Sequence, residues 1–164
     1  MKYGRFILFL LVTTLVFGLI LDGTHAAIVP IGEAVDNTAL TWTTGGSALW
    51  FGQTTTSYYG GDSAQSGDIA DGQTSWLSTK VDGGAGGKYI RFLWKISSQP
   101  NYDMLWFYMD YDWMTILFGG LDDYWYEETF YIPPGWHTLE WIYEKDGSVS
   151  MGADAGWVDK VEVF

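Results

Sequence analysis

The sequence predicts an all-β protein, an antiparallel two-sheet sandwich. Three observations point there. Apolar and polar residues alternate through several segments, Gly-, Pro- and Asp-containing turn signals interrupt the chain at short intervals, and no window carries a helical period. A period of two with β-branched and aromatic side chains marks a strand with one buried face. Short strands separated by regular turn signals indicate a sandwich or barrel.

Taken in order, the pattern predicts strands near 39–44, 48–53 and 56–60, punctuated by Gly45-Gly46 and Gly60-Gly61-Asp62. The next, near 75–82, lies between Asp71-Gly72 and Asp82-Gly83-Gly84. The segment 88–97 is the clearest: Ile90, Phe92, Trp94 and Ile96 share one face, while Arg91 and Lys95 take the other with Leu93 between them. Strand 103–110 repeats the rhythm with Leu105, Phe107 and Met109, and 113–118 follows before Gly119-Gly120. After 124–131 comes the turn Pro133-Pro134-Gly135. Strand 137–145 then places Leu139, Trp141 and Tyr143 on one side and Glu140 and Glu144 on the other, before Asp146-Gly147. The last strand is 157–164. Prolines fall in turns, where a missing N–H costs nothing. Large rings dominate burial in a sandwich core. Of the ten tryptophans, Trp94, Trp141 and Trp157 lie in alternating strands and are assigned to the core.

The fold does not need the whole chain. Lys2 and Arg5 precede an apolar run from Phe6 to Leu21, and Thr24-His25-Ala26-Ala27 ends in small residues. A charged start, an apolar core and a small-residue cleavage site make residues 1–26 a secretory signal peptide. Its apolar run is shorter than the roughly 20 residues that cross a bilayer. No later segment is long and apolar enough to span a membrane, so no span is expected after processing. Residues 27–164 form one domain. It carries six basic and nineteen acidic residues, a net charge of −13. Such a surface repels phosphate backbones, because nucleic-acid affinity depends on Lys and Arg displacing counterions. Nucleic acid is therefore excluded as a partner. Cysteine is absent, so thiolate metal sites and disulfides are excluded too.

The runs AVDNTALTWTTGGSALWFGQ, GGDSAQSGDIADGQTSWLSTKV, YIRFLWKISS, DMLWFYMD and PPGWHTLEWIYEKDGSVSMGADAGWVDKV carry a resemblance. Over residues 34–164 the chain resembles a jelly-roll module of bacterial surface and secreted proteins, similar to MAM domains and to cleaved-adhesin domains of bacterial surface proteases. The closing WVDKV resembles the MAM ending. The resemblance implies a two-sheet jelly roll acting as an adhesion or glycan-binding module without a catalytic centre, and relatives of this shape hold structural calcium near the chain ends. Such modules usually sit inside long multidomain chains.

Calcium takes six to eight oxygen ligands, mostly carboxylates and backbone carbonyls. If the first and last strands lie side by side, Asp36 approaches Asp159, and Asp62 in its Gly-rich turn supplies a third carboxylate. The alternative is that these acids cap turns or face water. A second constellation is aromatic: Trp50, Tyr58, Tyr59, Tyr108, Tyr111, Trp113, Tyr124, Trp125 and Tyr126 lie outside clean strand patterns. Sugar C–H faces stack on rings while nearby carboxylates take hydroxyls, and a binding site needs that mixture. The segment from Tyr108 to Trp113 supplies both at an expected hairpin tip. Tyr108, Asp110, Tyr111, Trp113 and Trp125 are therefore the candidate ligand contacts. Their alternative role is wrapping the sandwich edges.

A glycan-cleaving enzyme needs two carboxyls about 5–5.5 or 6.5–9.5 Å apart. Adjacent Glu127 and Glu128 point to opposite faces, and Glu140 and Glu144 stand roughly 13 Å apart along a strand. A cross-strand pair of Glu128 with Glu140 is the arrangement left open. His137 reads as a structural histidine bonding a turn carbonyl, since no Gly-x-Ser-x-Gly turn accompanies it. Gly83-Gly84-Ala85-Gly86-Gly87-Lys88 runs into Tyr89 and reads as a turn, not a phosphate loop. The expectation is a secreted or cell-surface, non-catalytic binding module that recognises a glycan or an extracellular protein. The alternatives are a small secreted glycoside hydrolase with a jelly-roll fold and a self-associating surface component.

Overall fold

The computed structural model describes residues 29–164. The leader assigned to residues 1–26 lies outside them. Among the described residues no helix is long and apolar enough to cross a membrane. One helical turn, α1 (Ile31–Ala34), precedes ten strands. These are β1 (Trp42–Gly46), β2 (Phe51–Gln53), β3 (Ser63–Gln65), β4 (Thr74–Asp82), β5 (Lys88–Ser97), β6 (Met104–Met109), β7 (Asp112–Phe118), β8 (Tyr126–Ile132), β9 (Trp136–Glu144) and β10 (Ala155–Val163).

They form two antiparallel five-stranded sheets, the front in the order β1-β4-β9-β6-β7 and the back in the order β2-β3-β10-β5-β8. The predicted jelly-roll sandwich is the observed one. Its core is made by the alternation the sequence displays. Ile90, Phe92, Trp94 and Ile96 of β5 face Leu105 and Phe107 of β6 and Leu139, Trp141 and Tyr143 of β9, all buried. Phe92 is the hub, with Phe107, Trp141 and Trp94 centred 4.7, 5.2 and 5.4 Å away.

Three expectations are corrected. The segment 56–60 is not a strand; the strand lies at β3, and the preceding loop is held off the sheet because the Tyr58 and Tyr59 N–H groups donate to Asp159 Oδ2 at 2.7 and 3.0 Å. Trp157 is buried but outside the sandwich core. It pairs with Lys95 across the back sheet and so points outward. A cover shields it there: the buried Lys95 ammonium pairs with Asp123 and lies 5.3 and 6.0 Å from the rings of Trp157 and Trp125. Trp50, treated as outside the strand pattern, is also a core residue.

Candidate functional site

The outer face of the front sheet carries a row of large side chains. Register sets Trp76 of β4 opposite Ile142 of β9, Ile142 opposite Trp106 of β6, and Trp106 opposite Ile116 of β7. The neighbouring row is Ser78, Glu140, Tyr108 and Trp113. All follow from parity: residues two apart share a face, and the alternate positions Leu77, Leu105, Phe107, Leu139 and Trp141 are buried inward. A β-bulge between Phe107 and Tyr108 brings Trp113 opposite Tyr108. At the far edge Trp76 lies flat on β1, where a Cβ added to Gly45 would stand 2.1 Å from its ring.

Trp106 joins these rings, centred 6.0 Å from Tyr108 and 6.4 Å from Trp113. Its indole N–H donates to Glu144 Oε2 at 2.9 Å, which fixes the ring. Burial among the rings pushes the Glu140 carboxyl above its ordinary range. Burial, and then Glu144 and Glu140, raise the Tyr108 phenol likewise. The face thus joins apolar ring surface to carboxylates and a phenol, a mixture suited to a ligand with alternating C–H and hydroxyl surfaces.

Of the five predicted ligand contacts, only Tyr108 and Trp113 lie on this face. Asp110 and Tyr111 form the β6–β7 turn, both with positive φ, 53° and 71°. Asp110 Oδ1 accepts the Thr138 N–H at 2.8 Å, and its Oδ2 pairs with His137 Nδ1 at 2.6 Å. The Asp110 carboxylate is thus engaged in holding the hairpin to β9. Tyr111 projects from the tip, 85% exposed. Trp125 belongs to the cover of the back sheet, 6.4 Å from Tyr58. Trp76, Trp106, Glu140 and Glu144 share the front-sheet face with Tyr108 and Trp113 and are not among the candidate ligand contacts read from the sequence. Glu140 and Glu144 carry a signal in the period of two, read for its polar side, whereas Trp106 sits in a strand whose two faces are both apolar.

His137, expected to bond a turn carbonyl, pairs chiefly with Asp110, which raises its pKa, and the backbone carbonyls of the turn residues Pro134 and Pro133 raise it further. The Glu128–Glu140 pair is ruled out by topology, because β8 and β9 belong to different sheets.

The three acids singled out for calcium converge at the other end of the back sheet. Their meeting does not come from pairing of the first and last strands. Asp36 follows α1 with a positive φ of 57°, and Val161 N–H donates to Val35 carbonyl at 2.8 Å, docking this turn on β10. Gly60, at φ 69°, leaves no room for a side chain: a Cβ there would crowd Asp36 Oδ1 at 3.2 Å and Asp62 Oδ1 at 3.4 Å, which shows how closely the two carboxylates approach this turn. Asp159 is fully buried, and its Oδ1 lacks any hydrogen-bond partner. Burial, then the charge of Asp159, pushes Asp36 up to about 6, and burial raises Asp159 also. Among the described residues no group of three or more His, Asp or Glu side chains is already arranged to hold a metal ion. A buried, unpartnered carboxylate oxygen beside two further carboxylates nevertheless has the donor chemistry of a hard-cation site.

No family profile matches the sequence, and no curated protein does. Solved structures match the fold. The carbohydrate-binding module TmCBM61, in complex with beta-1,4-galactotriose, superposes with a TM-score of 0.59 at 10% identity, over 82% of this chain and 92% of that one. A cleaved adhesin domain of Lys-gingipain from Porphyromonas gingivalis gives 0.56 at 13% identity, over 85% and 94%. The secreted serine protease VesC from Vibrio cholerae gives 0.54 at 12% identity over 71% of this chain, which spans only 24% of the protease. At these identities the likeness is one of architecture: the chain shares the β-sandwich of carbohydrate-binding modules and cleaved adhesin domains.

Proposed function

We propose that this domain is a non-catalytic, extracellular glycan-binding module whose binding surface is the outer face of the front sheet. The observation that carries the reading is the continuous face formed by Trp76, Trp106, Tyr108 and Trp113 with Glu140 and Glu144 among them. Rings lie under sugar C–H faces, and the carboxylates accept hydroxyl hydrogen bonds. The carboxylates also favour neutral over acidic sugars on this face. The sandwich architecture shared with a module solved on a galactotriose supports the reading, and the leader assigned to residues 1–26 supports secretion. Titration of neutral β-linked oligosaccharides by calorimetry tests it. Binding should weaken at least about tenfold in Trp106→Ala, with no release of reducing ends. Affinity unchanged in both Trp106→Ala and Tyr108→Ala would sink the assignment.

We also propose that Asp36, Asp62 and Asp159 hold a calcium ion with a structural role. Its charge would offset the mutual repulsion of the three carboxylates and fasten the loop before β3 and the turn after α1 to β10. Calcium should raise the melting temperature of the wild-type protein and leave Asp159→Asn unmoved.

A further inference from the structure

A second recess lies at the opposite edge of the front sheet. Register between β1 and β4 begins at Trp42 and Thr79, so the edge of Lys80–Asp82 has no strand beside it there. The incoming segment stays tied at one point, where Thr79 Oγ1 donates to the Thr41 carbonyl at 2.9 Å. Between that segment and β4 opens a cleft of about 590 Å³, within the roughly 300–1,000 Å³ typical of ligand pockets. Leu40 and Val81 supply apolar wall, and Trp136, 71% exposed, stands at its rim.

The charge of the cleft departs from that of the molecule. Four of the six basic side chains among the described residues are engaged: Arg91 with Glu162, Lys95 with Asp123, Lys145 with Asp71 and Asp154, and Lys160 over the Tyr59 ring. The other two, Lys80 and Lys88, form no ion pair among the described residues, and both line this cleft. Asp82 lines it as well, its Oδ1 held by the Gly84 N–H at 2.9 Å. Two ammoniums and one carboxylate leave a single net positive charge, in a chain whose net charge is −12.

We infer that this cleft binds a carboxylated sugar residue, a uronate, through its carboxylate on Lys80 and Lys88 and its ring face on Trp136. A dense polyanion is disfavoured by Asp82 and by the surrounding negative field. A neutral sugar gains nothing from the two lysines. A single carboxylate on a ring with an apolar face satisfies the lysines, the indole and the apolar wall together. Ser78 borders both this cleft and the Trp106 face, but Lys80, Lys88 and Trp136 take no part in that face, so the inference does not rest on it.

The test is calorimetric titration with trigalacturonate, its fully methyl-esterified form and a neutral galactotriose. Trigalacturonate should bind, weaken in about 0.5 M salt as screening requires, and lose at least about tenfold affinity in Lys80→Gln/Lys88→Gln and in Trp136→Ala. The methyl ester should bind at least about tenfold more weakly, and Trp106→Ala should leave the trigalacturonate affinity in place. No trigalacturonate binding, or binding unchanged in the double lysine variant, overturns the inference. Loss in Trp106→Ala alone overturns it too, by moving the ligand to the other face. Galactotriose binding that depends on Trp106 but not on the lysines shows that the glycan reading survives whichever way this test falls.

Discussion

Phe92 and Trp106 are both aromatic residues in central strands, yet their side chains have opposite tasks. Phe92 is fully buried at the centre of four rings, so Phe92→Ala should cost about 3–5 kcal/mol through lost contacts and a cavity. Chemical denaturation reads that directly. Trp106 lies outside the core, and Trp106→Ala should change stability by less than about 1 kcal/mol while removing glycan affinity. Gly45 is a more delicate probe. An alanine Cβ there would stand 2.1 Å from the Trp76 ring, so Gly45→Ala should lift the indole, alter near-ultraviolet dichroism and weaken neutral-glycan binding. The contrast explains what was legible in the sequence. Inward positions declare themselves, because Ile90, Phe92, Trp94 and Ile96 alternate with Arg91 and Lys95. Trp106 alternates with Leu105 and Phe107, so both faces of β6 are apolar and alternation alone does not say which one is inside. Trp157 misled for the complementary reason: it occupies an outward position that a cover buries.

At the scale of elements, the β6–β7 hairpin is held from below. Asp110 has positive φ, which aspartate tolerates better than most residues, and its carboxylate ties the turn to His137 and Thr138. The Thr138 N–H and the His137 pair draw the Asp110 pKa down, while Asp110 draws that of His137 up. A histidine whose folded pKa exceeds its unfolded value stabilises fully below about 6.5, and the contribution fades as pH rises through the folded pKa. Wild-type melting temperature should therefore fall over that interval. Asp110→Ala should lose both the dependence and, at pH 6, about 1 kcal/mol. An unchanged pH profile in that variant would refute the role given to the pair. The hairpin itself was readable from sequence, whereas the tie was not, since it joins residues of separate hairpins. The same limit applies to 56–60. Its composition suits a strand, but the Tyr58 and Tyr59 amides are taken by Asp159, about a hundred positions away in the chain.

For the molecule as a whole, the two sheets are finished differently. The back sheet's outer face is partly roofed by Asp123, Trp125 and the loop before β3, whereas the front sheet leaves its rings open. The roof's far end rests on the three acids, so its stability should answer to pH and to calcium together. Asp36 titrates near 6 in the folded protein, against 3.8 ordinarily. Between those values the folded state holds more protons than the unfolded one, so stability falls as pH rises from about 4 to about 6 and levels off above. That slope is opposite to the acid-destabilised behaviour of salt-bridged carboxylates such as Asp154, whose pKa is lowered. Subtracting an Asp36→Asn profile isolates it. Calcium binds the ionised carboxylates, so its addition should raise the melting temperature strongly at pH 7.5, weakly at pH 4.5, and flatten the slope between. In Asp36→Asn both the slope and much of the calcium response should disappear. A calcium shift of equal size at both pH values would place the ion elsewhere and leave the unpartnered oxygen of Asp159 without a cation to meet it.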